Sequence, residues 1–186
     1  MPEEGWIWQD ETMTPTLNPP RLTLRPLVPG DADAVFAMMG DDETMRWWDW
    51  PAFQDRAVVS DIVASQLADV TEGVAVYWAV VLNASGAVVG SCDLSEIDNH
   101  HARAEVGFLF HRSHWGNGYA REAMQAVIVF AFEDLRLQRL WARIHAGNAA
   151  SRRLLERLGF SREGTLKGHV LRDGARRDCE IYARMR

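Results

Sequence analysis

The feature that most constrains the fold is a glycine-rich turn that leads directly into a long apolar helix. The turn reads Trp115-Gly116-Asn117-Gly118, and the helical pattern after it extends from Tyr119 to Leu135. Two glycines let the backbone turn tightly and approach a ligand closely, because no Cβ atom is in the way. The first N–H groups of a helix have no intrahelical partner and favour negative charge. The pattern predicts either a phosphate-binding turn or an ordinary strand–helix connection, and taken alone it leaves both open.

The remaining patterns predict one α+β domain whose elements follow the order β, α, α, β, β, β, α, β, α, β, β. Residues 1–20 are expected to form a loose or partner-docked tail, and residues 21–186 form the domain. A helix capped by Asp31 begins after the first strand, and a second runs over Asp55–Thr71. Strands are predicted at Leu22–Leu27, Val74–Leu82, Ala87–Leu94, Arg103–Phe110 and Leu140–Ile144, with two more within Phe160–Met185.

Composition excludes several classes of protein. Apolar residues make up 47% and charged residues 25% of the chain, as in soluble globular proteins, and no apolar run is long enough to span a membrane. The acidic N-terminus does not resemble a secretory signal, so a cytoplasmic protein is expected. The net charge of −6 argues against nucleic acid as a partner. The two cysteines predict reduced structural thiols, and His100 and His101 should point apart on a strand, so no metal site is predicted.

A second motif is a short amphipathic helix that is bounded at both ends. Asn148 is a natural N-cap and Gly159 a natural residue to follow the helix end. Ser151 lies on the apolar side of this helix, where its hydroxyl needs a hydrogen-bond partner. That partner is either a ligand or the Asn148 cap, and the residues alone leave both possibilities open.

A third motif is Glu105 in the strand Arg103–Phe110. Alternation places Glu105, Gly107 and Leu109 on one face, just before the glycine turn. A carboxylate in this position is unusual for a core strand. Without further information, an edge carboxylate paired with Arg103 or with solvent is the simpler interpretation.

Together the three motifs resemble the GNAT superfamily of N-acetyltransferases, and in detail its branch of ribosomal-protein N-terminal acetyltransferases. The resemblance covers residues 21–185. It implies a mixed, mostly antiparallel sheet of about seven strands with about four helices, and transfer of an acetyl group from acetyl-CoA to a primary amine. The matching segments are Glu105–Phe108, Trp115–Ala123, Asn148–Ser151, Leu158-Gly159-Phe160, Glu163-Gly164, Asp173-Gly174, Arg177-Asp178 and Tyr182.

The resemblance also implies roles for single residues. Glu105 would act as the base or orient the amine, Ser151 would donate a hydrogen bond to the departing thiolate, and Asn148 would hold the pantetheine arm. Backbone donors near the end of the Glu105 strand would stabilise the oxyanion. The implied cofactor-binding residues are Leu109, Phe110, His111, Trp115, Gly116, Asn117, Gly118, Tyr119, Ala120, Arg121 and Asn148.

Two departures from the superfamily pattern bear on mechanism. Trp115 stands where the turn often opens with Gln or Arg, so anion binding would depend on backbone N–H groups and the glycines. The helix after Asn148 carries Leu154-Leu155 where related enzymes often have a tyrosine, which excludes a tyrosine acid at that position.

The acceptor pocket is expected between the first two helices, where the aromatic residues Trp47, Trp48, Trp50 and Phe53 cluster. They form either packed core or an exposed aromatic wall. An acidic rim around them could steer a cationic amine. The arginines at 152, 153 and 157, and those at 172, 176 and 177, are interpreted as solvated surface. The acidic residues are Asp31, Asp33, Asp41, Asp42, Glu43, Asp49 and Asp55.

Two rival functions remain at the level of sequence. A non-catalytic acyl-CoA-binding regulatory domain would keep the glycine turn but lose the function of Glu105 and Ser151. A structural interaction protein would keep the fold and bind no CoA. The turn, Asn148 and Glu105 together argue against both rivals. The acceptor is either a protein N-terminus or a small amine, and the chain is a monomer or a homodimer.

Overall fold

The computed structural model describes residues 14–186, and its secondary structure follows the predicted order of elements. Short 3-10 turns connect several elements, and α3 continues beyond Val129 as a π-helical turn that ends at Asp134. The helices are α1 (Ala32–Met39), α2 (Arg56–Thr71), α3 (Tyr119–Val129) and α4 (Ala149–Arg157). The strands are β1 (Leu22–Pro26), β2 (Val76–Leu82), β3 (Val88–Asp98), β4 (Arg103–Phe110), β5 (Arg139–His145), β6 (Ser161–Arg172) and β7 (Ala175–Met185).

The seven strands form one mixed sheet in the order β1-β2-β3-β4-β5-β7-β6. All neighbouring strands are antiparallel except β4 and β5, which are parallel. The parallel pairing extends only from Arg103 opposite Arg139 to Glu105 opposite Trp141. Beyond Glu105 the two strands diverge, and this opens a gap in the middle of the sheet. The predicted fold class, a mostly antiparallel α+β sheet with four helices, is confirmed.

Each face of the sheet is covered by its own hydrophobic cluster. Trp78 and Val106 belong to the larger cluster, which contains residues of α3 and α4. Ala79 and Leu109 belong to the smaller cluster, which contains residues of α1 and α2. Successive strand residues point to opposite faces, so the odd-numbered residues of β4 face α1 and α2. Glu105 therefore lies on the α1–α2 side of the gap.

Part of the predicted tail is docked on the domain. Leu17 forms a β-bridge with Leu24, and the indole of Trp78 donates a 2.7 Å hydrogen bond to the carbonyl oxygen of Pro15. Residues 14–20 are therefore held against the sheet and are not a loose segment. Residues 1–13, which were also assigned to the tail, lie outside the described residues.

The predicted cap of α1 at Asp31 is confirmed in position but not in its hydrogen bond, and the expectation that His100 and His101 lie on a strand was wrong. Asp31 occupies the N-cap position of α1, but its carboxylate binds Arg25 and the N–H of Val28 and makes no cap hydrogen bond to α1. His100 and His101 lie in a turn after β3 with ring centroids 4.7 Å apart, because the chain reverses there and does not continue as a strand.

No helix of the described chain is long and apolar enough to cross a membrane. Both cysteines are free and buried.

Candidate functional site

The gap between β4 and β5 opens into a cleft with a volume of about 1160 Å³. The cleft connects the glycine turn with the aromatic segment between α1 and α2. Glu105, Asn148 and Ser151 all line it. The structure therefore brings together three motifs that lie far apart in the sequence.

The glycine turn has the geometry of an anion cradle. Gly116 and Gly118 adopt φ angles of 78° and 79°, a left-handed conformation that disfavours any side chain. A Cβ atom at Gly116 would meet no atom within 4 Å, so open space adjoins the turn. Gly118 is the N-cap of α3, and the first N–H groups of α3 face this space without intrahelical partners. Arg121 lines the same cleft, so the residues present fit a bound pyrophosphate.

Asn117 has a different position from its neighbours in the turn. Its amide nitrogen donates to the carbonyl oxygens of His114 and Trp115, at 3.2 and 3.1 Å. The backbone carbonyl oxygen of Asn117 accepts a hydrogen bond from the side chain of Arg21. Asn117 therefore closes the turn on itself and is not among the residues that line the cleft, whereas Tyr119 and Ala120 line it.

Among Leu109, Phe110 and His111, near the end of β4, only Phe110 directs its backbone N–H towards the gap. The N–H of His111 donates to Val89 on β3, at 3.1 Å, and the N–H of Leu109 points the same way because N–H directions alternate along a strand. The N–H of Phe110 is therefore directed into the gap. Its carbonyl oxygen accepts a 2.7 Å hydrogen bond from the indole of Trp115, which fixes the strand end. His111 does not line the cleft, since its side chain binds Ser113.

Glu105 is neither an edge carboxylate nor a partner of Arg103. It lies on a central strand, and Arg103 pairs instead with Asp98 at 3.3 Å. Burial raises the pKa of Glu105 to about 7, although the positive charge of Arg143 opposes the shift. A carboxyl group with this pKa can accept and release a proton near neutral pH.

The helix α4 presents Ser151 to the cleft. The amide oxygen of Asn148 accepts a 3.1 Å hydrogen bond from the backbone N–H of Ser151, so Asn148 caps α4 as predicted. No hydrogen bond from the Ser151 hydroxyl to another residue occurs in the described part of the chain. The hydroxyl is therefore available to a molecule in the cleft.

The four aromatic residues all line the cleft, and none is fully buried. Trp48 and Phe53 pack against the smaller hydrophobic cluster, whereas Trp50 is 58% exposed. The ring of Trp47 lies beside Gly147, where a Cβ atom would be 3.4 Å from it. The aromatic segment is therefore a wall that is anchored on one side and exposed on the other.

Asp49, between two of these tryptophans, ties the wall to β5. Its carboxylate accepts hydrogen bonds from Arg143 at 2.9 Å and from Nε2 of His145 at 2.8 Å. Burial alone would raise the pKa of Asp49, but these two bonds hold it below its ordinary value. This connection was not predicted from the sequence, because the aspartate and the arginine are 94 residues apart.

Arg172 fixes the same segment from the β6–β7 hairpin. Its Nη1 donates to the backbone carbonyls of Met45, Arg46 and Trp48, at 2.7, 2.9 and 2.7 Å. The arginine side chain is only 9% exposed, so its assignment to solvated surface was wrong. Arg153 and Arg157 are exposed, in agreement with that assignment, and both line the cleft.

The predicted acidic rim is largely neutralised within the chain. Six of its seven members bind an arginine or a backbone N–H, which leaves little net negative charge to steer a cation. These contacts are Asp31 with Arg25, Asp33 with Arg56, Asp41 with Arg112, Glu43 with Arg46, Asp49 with Arg143, and Asp55 with the N–H of Ala57.

Two further residues at the site were not predicted. Arg21 binds Glu122 at 2.6 Å and lies 4.8 Å from the centre of the Tyr119 ring, so it braces the first turn of α3. Asp93 on β3 lines the cleft beside Glu105. Alternation along β3 could have placed Asp93 on the face of Glu105, whereas nothing local in the sequence connects Arg21 with α3. No cluster of metal-ligating side chains occurs within residues 14–186.

A sheet that diverges beside a buried carboxylate, with a glycine turn suited to anions at a helix start, is the arrangement expected from the resemblance to acetyl-CoA-dependent transferases. The family model of the acetyltransferase (GNAT) domain matches residues 21–161. The chain therefore belongs to the GNAT acetyltransferases, and it is an acetyl-transferring enzyme that uses acetyl-CoA as its cosubstrate.

Named relatives agree with this assignment. An uncharacterized N-acetyltransferase of Bacillus licheniformis, p20, is 32% identical over 90% of this chain and 94% of its own. The spermidine N(1)-acetyltransferase of Escherichia coli (strain K12) is 26% identical over 84% of this chain and 81% of its own. The structure of Mycobacterium smegmatis RimJ in complex with CoA-disulfide superimposes with a TM-score of 0.81 at 26% identity, covering 96% of this chain and 88% of RimJ. This likeness supports the assignment of the chain to the RimJ/RimL-type branch, which is the branch of ribosomal-protein N-terminal acetyltransferases.

Proposed function

We propose that the enzyme acetylates a primary amine by direct attack on acetyl-CoA, with Glu105 as the proton acceptor. The observation that carries this proposal is the position of Glu105 at the divergence of β4 and β5, between the cradle and the aromatic wall. Its raised pKa of about 7 suits a group that takes a proton from an ammonium ion. A non-catalytic CoA-binding domain would not need a carboxyl group buried at this point.

The other roles follow from the same geometry. The N–H groups at the start of α3 and the glycines at 116 and 118 would hold the pyrophosphate of CoA, and α4 would lie along its pantetheine arm. Bound acetyl-CoA supplies the activated acetyl group. The N–H of Phe110 would bind the developing oxyanion, and the hydroxyl of Ser151 would donate to the departing thiolate.

The acceptor is best described as an amine with one positive charge and an apolar remainder. The wall is aromatic, and its acidic residue Asp49 is already occupied by Arg143 and His145. A polyamine carries several separated ammonium groups, whereas the two carboxyl groups of the cleft that form no ion pair within the described residues, Glu105 and Asp93, lie together on its floor and provide one anionic point. The N-terminus of a peptide that begins with an apolar or small residue therefore fits better than spermidine.

The test is a comparison of acceptors that follows free CoA release with acetyl-CoA at saturation. Peptides with apolar or small N-terminal residues, an aromatic monoamine and spermidine would be compared by kcat/KM. We expect the monoamines to exceed spermidine, and the reverse order would overturn the acceptor class. Acetyl-CoA binding without amine-dependent release for any acceptor would instead indicate a regulatory domain.

A matched pair of variants tests the aromatic wall. Trp50→Ala removes an exposed ring in the cleft, and Leu171→Ala removes a side chain of similar exposure on the β6 strand, outside it. We expect Trp50→Ala to raise the acceptor KM by about 10-fold, equivalent to about 1.4 kcal/mol, without changing acetyl-CoA affinity. An unchanged acceptor KM would remove Trp50 from the acceptor site.

A further inference from the structure

A second carboxylate lies beside Glu105 on the floor of the cleft. Asp93 of β3 is directly opposite Gly107 of β4, and Glu105 is directly opposite Ser95. Asp93 and Glu105 are therefore diagonal neighbours on one face of an antiparallel pair, with Cβ atoms roughly 7 Å apart. Both side chains line the cleft on the α1–α2 side of the sheet.

The absence of a side chain at Gly107 makes room for the Asp93 carboxylate. A Cβ atom at position 107 would lie 2.4 Å from Asp93 Oδ1 and 2.6 Å from Oδ2. The carboxylate thus rests on the backbone of β4, next to the point where β4 leaves β5. Within the described residues Asp93 forms no ion pair, in contrast to most acidic residues of the α1–α2 side.

The charged and titratable groups around Asp93 come from three other strands and one helix. Tyr77 is opposite it on β2 and contacts Asp69 of α2, while Glu105 and Arg143 face the same space from β4 and β5. Burial raises the pKa of Asp93 to about 6, and Ser95 on its own strand opposes the shift.

The two carboxyl groups are electrostatically coupled. Burial is the main cause of the raised pKa of Glu105, and the negative charge of Asp93 raises it further. The negative charge of ionised Asp93 therefore makes Glu105 a stronger proton acceptor.

Acetylation of an ammonium ion removes two protons from one nitrogen. The first must leave before the nitrogen lone pair can form a bond to the acetyl carbon, and the second leaves the positively charged nitrogen after that bond has formed. The carbon–sulfur bond breaks with its electron pair on sulfur. One proton finally resides on the CoA thiol and the other in solvent. A single carboxylate would have to discharge its first proton before it could accept the second.

We propose that Asp93 is a second proton acceptor of the acetyl transfer and works together with Glu105. Glu105 takes the first proton of the ammonium group, and Asp93 takes the second as the nitrogen becomes an amide. Both carboxyl groups then return their protons to the thiolate and to solvent through the open cleft. This inference rests on the proposed function, because it assumes an ammonium acceptor in the same cleft.

The central variant is Asp93→Asn, which keeps the shape of the side chain and removes its capacity to accept a proton. We expect kcat to fall roughly 10²-fold, the lower end for loss of one acid–base group, because Glu105 can still act twice in sequence. The affinity for acetyl-CoA, measured by calorimetry, should be unchanged. A kcat within about threefold of wild type would overturn the proposal.

The control is Glu96→Gln on the same strand. Glu96 is exposed and lies outside the cleft lining. Its negative charge nevertheless raises the pKa of Glu105 by more than the negative charge of Asp93 does. We expect this variant to shift the acid limb of the pH–rate profile to lower pH with a near-normal kcat. An equal loss of kcat in Glu96→Gln and Asp93→Asn would show that charge near Glu105, and not proton acceptance by Asp93, matters.

The pH profile gives an independent readout. In the wild-type enzyme two carboxyl groups must be ionised for turnover, whereas in Asp93→Asn only Glu105 must be. The plot of log kcat against pH should therefore be steeper in wild type below about pH 6, by roughly one unit of slope. Carbon-detected NMR of the wild-type side-chain carboxyls should show a titration of Asp93 near pH 6 that does not depend on turnover. Equal slopes in the two proteins would contradict the proposal.

Gly107→Ala provides a second variant if Asp93→Asn does not fold. The new methyl group must displace the Asp93 carboxylate while leaving it in the chain. We expect a loss of kcat comparable to that of Asp93→Asn, and an unchanged kcat would refute the role of its position. A wild-type enzyme that releases no CoA with any amine would defeat the proposed function itself, whereas an active wild type with fully active variants defeats only this inference.

Discussion

Replacement of Glu105 by glutamine should make the protein more stable at alkaline pH while it loses activity. A carboxyl group whose pKa is raised by folding binds its proton more tightly in the native than in the unfolded state. Stability therefore falls as the pH rises from the unfolded to the folded pKa, and the penalty is complete above the folded value. The glutamine side chain carries no charge, so the Glu105→Gln variant does not have this penalty.

The magnitude follows from the shift. The pKa of Glu105 rises from 4.5 to about 7 on folding, and each pKa unit corresponds to about 1.4 kcal/mol. At pH 8 the ionised carboxylate thus costs about 3 kcal/mol, whereas at pH 5 the cost is about 1 kcal/mol. The free energy of unfolding of Glu105→Gln relative to wild type should therefore increase by about 2 kcal/mol between pH 5 and pH 8.

Urea unfolding of both proteins at several pH values measures this difference. Glu72→Gln, at an exposed carboxylate just after α2, is the control and should give a curve parallel to that of wild type. Turnover of Glu105→Gln, followed by CoA release, should fall roughly 10²–10⁴-fold at unchanged acetyl-CoA affinity. A stability difference that does not change with pH would refute the burial argument, and an unchanged pH–rate profile would make Glu105 a structural residue.

Three other variants test separate parts of the site. Gly118→Val should abolish tight acetyl-CoA binding in calorimetry, because a φ of 79° disfavours a branched side chain and the valine would distort the turn at the start of α3. Near-normal affinity in a folded variant would remove the turn from the cofactor site. If the Ser151 hydroxyl donates a hydrogen bond to the departing thiolate, Ser151→Ala should lower kcat by roughly 10²-fold with little change in Tm. A lower Tm with normal turnover would mean that the hydroxyl stabilises the start of α4 instead. Asp49→Asn should lower the free energy of unfolding by about 1–3 kcal/mol and raise the acceptor KM, because Arg143 and His145 lose the carboxylate they share. If neither quantity changes, the bonds from Asp49 to β5 do not hold the aromatic wall in place.

Much of the architecture could be predicted because it is encoded locally. Alternation of apolar and polar residues located the strands, and Asn148 and Gly159 bounded α4, since side-chain period and helix capping depend on residues only a few positions apart. The glycine turn was recognisable for the same reason: its left-handed backbone requires glycine at fixed positions before a helix. Family resemblance then connected these local features with acetyl-CoA.

Long-range contacts could not be predicted in this way. Arg21 and Glu122 are 101 residues apart, and Arg172 binds carbonyl groups 124 to 127 positions earlier in the chain. No periodicity relates such residues, and the assignment of Arg172 to solvent was wrong because its partners are backbone groups that carry no sequence signature. Some ion pairs of the acidic rim were hidden for the same reason, because Asp41 pairs with Arg112 and Asp49 with Arg143, both far along the chain.

The sequence by itself determined the elements, their order, the glycine turn before α3 and the presence of a carboxylate on β4. Only the tertiary structure decided that β4 and β5 diverge immediately after Glu105, so that this carboxylate lines a cleft. It also placed Asp93 over Gly107, where burial raises the pKa of the aspartate. The physical reason is that desolvation and charge coupling depend on which atoms surround a group in space, and this is fixed only when distant strands pair.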